Sequence, residues 1–173
     1  MQEIELSGVF LQSFGRACKN LHILASERVE EILATRPDGW YPAASFVTLF
    51  HAIETRYRDF EPIKERIGVE MMKLWYELGP GRSLVSSGVD FLRFQTGSQG
   101  YHSVVRGPST AVGAFSLQEL DEGAGRARVA STTPFDRTME RGVLLGGMQL
   151  AGDLVYVDVR NAPDPSTFEL TFH

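Results

Sequence analysis

The segment "GAFSLQELDEGAGRARVASTTPFDRTMERGVLLGGM", residues 113–148, changes its pattern twice and thereby indicates the class of fold. "GAFSLQEL" and "GRARVASTT" alternate in the manner of strands, and "DEGAG" is the turn between them. "TMERGVLLGGM" then has the spacing of a helix. Two further predicted strands follow, "DLVYVDVRN" and "TFELTFH". We therefore predict a strand-strand-helix-strand-strand unit in the carboxyl half of the chain.

The amino-terminal half is predicted to be helical, because its apolar residues recur at helical spacing. Ser26 is the candidate N-cap of one helix, and Pro42 suits the first position of the next. Helices followed by this strand-rich unit predict an α+β fold, in which amino-terminal helices pack with a mostly antiparallel sheet. In "DLVYVDVRN", Val155, Val157 and Val159 are predicted to line the core, since β-branched residues at period two favour a buried sheet face.

Composition narrows the functional classes. A net charge of −5 and a sequence pI of about 5.4 argue against nucleic-acid binding, which ordinarily uses a basic face. No run approaches the roughly 18 apolar residues that a membrane span requires. No secretory signal pattern opens the chain, and Cys18, as the single cysteine, cannot form an intrachain disulfide. We therefore expect a cytoplasmic protein in which Cys18 is a plain buried or half-buried thiol.

No motif in the sequence indicates catalysis, so we do not expect an enzyme. Gly142, Gly146 and Gly147 lack the Gly-Lys-Ser/Thr of a phosphate loop, and we expect them to let a helix lie close on a sheet. No carboxylate pair or nucleophile elbow stands out. The histidines lack HxxxH or HExxH spacing and predict no preformed zinc site. They are His22, His51, His102 and His173.

Arg137 and Arg141 stand near the start of the last predicted helix, where Asp136 or Thr138 is the candidate N-cap. Arginines in such a place can bind an anionic group of a ligand. An ion pair with Asp136 or Glu140 is the alternative, and the sequence leaves both interpretations open.

The order of these parts resembles the haem nitric-oxide/oxygen-binding (H-NOX) superfamily, which includes 4-vinyl-reductase-type small-molecule-binding domains. "IKERIGVEMMKLWYEL", "SGVDFLRFQTGSQGYHSVVRGP", residues 113–148 and "GDLVYVDVRN" carry the resemblance. "WYPAASFVTLF" and "TFELTFH" are most similar to uncharacterised bacterial members. The resemblance covers roughly residues 38–173. We therefore expect a single domain over 1–173, with a helical lead-in over 1–37 and a ligand-binding-like core over 38–173.

The resemblance implies a non-enzymatic sensory or signalling module that binds a small hydrophobic molecule in an apolar pocket between helices and sheet. Its candidate ligand-binding residues are His102, Tyr101, Arg137 and Trp75. A haem-based gas or redox sensor is an alternative, because His102 falls by order where the haem branch keeps its iron ligand. The branch's propionate-binding tyrosine-any-serine-any-arginine motif is replaced here by "ASTTPFDR", which keeps only Ser131 and Arg137. A homodimeric adaptor domain without any ligand is the other alternative.

Overall fold

The computed structural model describes residues 4–23 and 27–173, so the candidate N-cap Ser26 lies outside the described residues. The helices are α1 (Gly8–Asn20), α2 (Glu27–Leu33), α3 (Ala43–Glu54), α4 (Glu61–Leu78), α5 (Gly81–Leu84), α6 (Gly88–Thr96), α7 (Ser109–Val112) and α8 (Arg137–Gln149). The strands are β1 (Glu5–Ser7), β2 (Trp40–Pro42), β3 (Val105–Arg106), β4 (Phe115–Asp121), β5 (Arg126–Ser131), β6 (Val157–Asn161) and β7 (Thr167–Phe172). The predicted α+β class is confirmed.

The larger sheet is antiparallel, with the strand order β4-β5-β7-β6. Helix α8 connects β5 to β6, and the closing strand β7 returns between them. Alternate residues of β5 and β7 point to opposite faces. Val129 and Phe168 are fully buried on the inner face, whereas Arg128 and Glu169 are exposed on the outer face.

The smaller sheet corrects the prediction that the amino-terminal half contains only helices. Strand β1 lies between β2 and β3, with Leu6 paired to Tyr41 on one side and to Val105 on the other. Each of these strands has only two or three residues, so none shows an alternating pattern that a sequence could reveal. Pairing across long sequence separations creates this sheet.

Helix α8 begins where its sequence predicts, because Asp136 is its N-cap. The carboxylate accepts hydrogen bonds from the backbone N–H groups of Thr138, at 2.9 Å, and Met139, at 3.1 Å. The first N–H groups of a helix have no partner within the helix, and such a cap satisfies them. Pro42 differs slightly from expectation, since it is the N-cap of α3 and not the first helical residue.

The glycines of α8 bring this helix close to α4, whereas we predicted that they bring it close to the sheet. A Cβ atom at Gly142 would overlap the carbonyl oxygen of Glu65, and one at Gly146 would crowd Val69. These contacts advance by four residues on both helices, so α4 and α8 run in the same direction. The close partner at these two glycines is therefore a helix, whereas the sequence predicted a sheet.

The strand predicted at "DLVYVDVRN" begins only at Val157, and one of its three core assignments is wrong. Val155 is 95% exposed, Val157 is half-buried and Val159 is buried. Tyr156 and His173 exchange backbone hydrogen bonds in the register that pairs Val157 with Phe172, and the N–H group of Val155 also bonds to the carbonyl oxygen of His173. The backbone is thus paired up to Tyr156, while the Val155 side chain lies in solvent. None of the helices in the described part is long and apolar enough to cross a membrane.

Candidate functional site

Arg137 belongs to a polar cluster between the end of β5 and the start of α8. Its guanidinium donates to the Glu140 carboxylate at 2.5 Å and to the Ser131 hydroxyl at 3.0 Å. It also donates to the backbone oxygen of Thr133 at 3.1 Å. The ion pair with Glu140, one of the two interpretations of Arg137, is therefore present. These bonds engage both terminal nitrogens of the guanidinium, which an anionic ligand would also use.

Glu140 is the charged partner inside this cluster, with only 3% of its surface exposed. Burial raises the pKa of its carboxyl, while hydrogen bonds from Thr133, Arg137 and Ser131 act in the opposite direction. A buried carboxylate is tolerated when it is paired and hydrogen-bonded in this way. The cluster therefore fastens α8 to the sheet.

Tyr101 is buried, whereas its neighbour His102 is exposed, although their rings meet edge-on with centroids 5.3 Å apart. Tyr101 is 5% exposed, and its hydroxyl donates to the backbone oxygen of Val112 at 2.7 Å. Its ring packs edge-on against Phe115 and Phe135, with centroids 5.6 and 6.2 Å apart. His102 is exposed. The structure thus brings Tyr101 near Arg137, around Phe135, and leaves His102 in solvent.

Trp75 lies on α4 and packs against α6. Its ring stacks on Phe94 at 5.3 Å and meets Phe91 edge-on at 6.4 Å between centroids. Gly81 lies against the same ring. Trp75 therefore supports the contact between α4 and α6, apart from the Tyr101 and Arg137 group.

A cleft of about 360 Å³ opens between α3 and the β5–α8 loop, and we call it the aromatic cleft. Its lining residues are Phe46, Val47, Phe50, His51, Glu54, Pro134, Phe135, Asp136 and Met139. Phe46 forms its inner wall, since its ring lies 5.7 Å from that of Phe50 and 5.8 Å from that of Phe135. Ligand pockets are commonly apolar with a few polar groups at fixed places, and this cleft has that character.

The polar rim of the aromatic cleft is organised by Lys64. Its ammonium lies 2.9 Å from an oxygen of Asp136 and 3.2 Å from one of Glu54. Glu61, which faces the same ammonium at 2.7 Å, completes the group. The hydrogen bond from Lys64 lowers the pKa of both Glu54 and Glu61, so these carboxyls are ionised at neutral pH.

A smaller cleft of about 290 Å³ lies between α2 and α3. Its walls include Ser45, Thr48 and Glu31, and aromatic rings do not line it. The aromatic cleft is therefore the better site for a hydrophobic molecule.

The sequence pointed to residues around the aromatic cleft without identifying it. Helical spacing puts Phe46 and Phe50 on the apolar side of one predicted helix, and Phe135 stands in the sequence next to Asp136. The spacing of Phe46, Phe50 and Glu54 did place two rings and a carboxylate on one face of α3. The opposite wall of the cleft comes from the loop between β5 and α8, some eighty residues away. No local sequence pattern could predict that the two segments meet.

The residues in the interior do not fit a haem held by histidine. All four histidines of the chain are exposed, so each imidazole would have to enter the core before it could bind buried iron. Tyr101 already donates its hydroxyl proton to Val112, and burial raises the pKa of Cys18 to about 12, which keeps it a thiol. Within residues 4–23 and 27–173, no group of three or more His, Cys, Asp or Glu side chains is arranged to hold a metal ion.

The space between the amino-terminal helices and the larger sheet is also filled by rings. Phe10 lies 5.4 Å from Phe46 and 5.8 Å from Phe135, and Tyr101 reaches Phe135 from the other side. Aromatic side chains packed at such distances leave no slot between them for a porphyrin plane.

Comparison with protein-family models and with curated proteins gives no match. Solved H-NOX structures do match over nearly the whole chain. A variant of Tt H-NOX superposes with a TM-score of 0.67 and 12% identity, covering 96% of this chain and 95% of that one. An oxygen-binding H-NOX domain related to soluble guanylate cyclases gives 0.65 and 11%, covering 96% and 93%. The Fe(II) unliganded H-NOX protein from K. algicida gives 0.60 and 10%, covering 97% and 96%.

The chain therefore has an H-NOX-like fold, and the resemblance in the sequence is confirmed at the level of architecture. Identities near 12% establish the fold alone. The ligand and the activity of this chain have to be inferred from its own residues.

Proposed function

We propose that this chain is a non-enzymatic sensory or signalling module that binds a small hydrophobic molecule in the aromatic cleft. The observation that supports this most is the cleft itself. It has walls of phenylalanine and methionine, lies at the junction of α3 with α8, and is bordered by a fixed charged group. A molecule bound there contacts two helices and the loop before α8 at once, so it can bias how they pack.

The sensory role is supported by this placement. Asp136 lines the cleft, caps α8 and bonds to Lys64 of α4. A ligand that displaced Asp136 would therefore act on the cap of α8 and on its ion pair with α4 together. The H-NOX-like fold adds support by analogy, because the structures it resembles include an oxygen-binding domain.

Binding can be tested with 1-naphthylmethanol, a neutral two-ring probe, by isothermal titration calorimetry. We expect saturable one-to-one binding to the native chain and its loss in Val47→Trp, because the half-buried Val47 lines the cleft. Thr48→Trp is the matched control, since Thr48 is the next residue of α3 and lies outside the cleft. Equal binding to both variants, or no binding to a folded native chain, would contradict the proposed site.

Native mass spectrometry of protein purified from its own host gives a second test. A carried molecule would add a fixed mass to the chain. We expect Val47→Trp to lose that mass and Thr48→Trp to retain it.

A haem-based sensor is the second candidate, and the observation that favours it is the fold. The structures that the chain resembles include an Fe(II) H-NOX protein and one that addresses haem redox potential and porphyrin distortion. Haemin titration separates the two candidates. We expect no sharp Soret band at one equivalent, and a spectrum unchanged by His102→Ala, because His102 is exposed. A stoichiometric Soret band that His102→Ala abolishes would overturn the haem-free proposal.

Homodimerisation without a ligand stays a prediction from the sequence. Light scattering of the purified chain measures it directly, and a monomer at micromolar concentration would contradict it.

A further inference from the structure

The charges beside the aromatic cleft do not balance. One ammonium, that of Lys64, faces the carboxylates of Glu54 at 3.2 Å, Glu61 at 2.7 Å and Asp136 at 2.9 Å. With all three carboxyls ionised, the group carries a surplus of two negative charges. Lys64 is 95% buried, so its single positive charge is fixed at this point and does not move out to solvent.

Each nearby arginine has a carboxylate partner outside this group, although the charge of Arg141 also helps to lower the pKa of Glu61. Arg137 is paired with Glu140, and Arg141 is paired with Glu65. His51, whose Nδ1 lies 3.4 Å from Glu54, is 73% exposed and adds charge only when its ring is protonated. With the His51 ring neutral, the group therefore keeps a surplus of negative charge.

Two of the three carboxylates line the cleft, next to the rings of its walls. Glu54 and Asp136 border the space, and Phe46, Phe50 and Phe135 face it. The faces of aromatic rings carry negative electrostatic potential and attract organic cations. Ring walls and surplus carboxylates thus favour the same kind of ligand.

We propose that the aromatic cleft binds a small amphipathic organic cation, with an apolar or aromatic body and a single ammonium group. The body lies against Phe46 and Phe135, and the ammonium lies toward Glu54 and Asp136. This inference rests on the proposed function, because it names the ligand class of that same site.

Other ligand classes fit these residues less well. An organic anion would meet the surplus negative charge at the rim. An inorganic cation would need the point where the three carboxylates converge, and the Lys64 ammonium occupies it. A neutral molecule would contact the rings and leave the surplus negative charge without a partner. A volume of about 360 Å³ is at the small end of the range for ligand pockets, which favours a one- or two-ring body.

The test uses three probes that share one ring system: 1-naphthylmethylammonium, 1-naphthylmethanol and 1-naphthoate. Each is titrated into the full chain by calorimetry at neutral pH and low ionic strength. We expect the ammonium to bind about tenfold more tightly than the alcohol, with the naphthoate weakest. Added salt should reduce the advantage of the ammonium, because ions screen exposed charge.

Glu54→Gln tests the charge directly, since it keeps the shape of a side chain at the rim and leaves Lys64 with Glu61 and Asp136. We expect it to lower the affinity for the ammonium severalfold and the affinity for the alcohol much less. Glu119→Gln is the control, because Glu119 is exposed on β4 and its loss changes the net charge equally. An equal effect of both substitutions would overturn the assignment of Glu54.

The outcomes separate this inference from the proposed function. If the three probes bind equally well, or the naphthoate binds best, the cation inference is overturned and the hydrophobic site stands. If none of them binds to a folded chain, both are overturned. If the ammonium is preferred and Glu54→Gln removes the preference, both are supported.

Discussion

Arg137→Met should destabilise the fold because it leaves a buried carboxylate without its cation. Glu140 is 3% exposed, and its strongest charged contact is the Arg137 guanidinium at 2.5 Å. Breaking a buried ion pair by removing one partner costs about 3 to 5 kcal/mol. Since the Arg137 side chain is 29% exposed, we expect the lower end, about 3 kcal/mol at neutral pH. For a chain of this size that corresponds to a fall in melting temperature of roughly 6 to 12 °C.

The pH dependence of this loss identifies its cause. Burial raises the pKa of Glu140, so the folded state holds a proton at pH values where the unfolded state, with a pKa of about 4.3, has released it. The contribution of this group to stability is therefore fully present below about pH 4.3, and it is lost as the pH rises through the folded pKa. Removing Arg137 raises the folded pKa further. We expect the variant to approach wild-type stability in acid and to lose stability more steeply toward neutral pH.

The assay is thermal and urea unfolding of three chains between pH 4 and pH 8. The three chains are wild type, Arg137→Met and the double variant Arg137→Met/Glu140→Gln. In the double variant, position 140 no longer carries a carboxylate that needs a cation. We expect it to be more stable than Arg137→Met at neutral pH and to lack the steep pH dependence. The argument from the buried ion pair would be refuted if the free energy of unfolding of Arg137→Met were within about 0.5 kcal/mol of the wild-type value. It would also be refuted if the double variant were no more stable than Arg137→Met.

Three further predictions concern the fold. Val159→Asp should prevent soluble expression or strongly lower the melting temperature, because it buries an unpaired charge. Val155→Asp should be neutral, because its side chain is 95% exposed. Comparable losses in the two variants would contradict the assigned strand. Gly142→Ala should lower the free energy of unfolding by about 1 to 3 kcal/mol in urea titrations, because the new Cβ would overlap Glu65. Gly123→Ala should change the free energy of unfolding little. A neutral effect of Gly142→Ala would refute the close contact between the helices. Calorimetry should show one cooperative transition for residues 1–173, and two independent transitions would rule out a single domain.

Much of the secondary structure was predictable because its signals are local. The apolar spacing of α4 and α8, the Asp136 cap, and the alternation in β5 and β7 all lie within single segments. The short strands β1 to β3 and the exposed Val155 were not predictable. Two or three residues carry no periodicity, and no local signal distinguishes the exposed Val155 from the buried Val159 of the same alternating pattern.

The candidate site was harder to predict from the sequence than the fold was. The Arg137–Glu140 pair was one of two open interpretations, since both residues lie on one helical turn. The aromatic cleft was not foreseen, and neither was the role of Lys64, which is 72 residues from its partner Asp136.

The sequence by itself determined many of the residues that turn inward, where most helices and the longer strands lie, and that the architecture is α+β. The tertiary structure alone decided which inward faces meet, and therefore where the cleft and its charge surplus lie. The physical reason is that periodicity and capping act between residues a few positions apart, whereas a binding cleft forms where segments distant in sequence pack together. Phe50 and Phe135 belong to one site only because α3 and the β5–α8 loop are packed side by side.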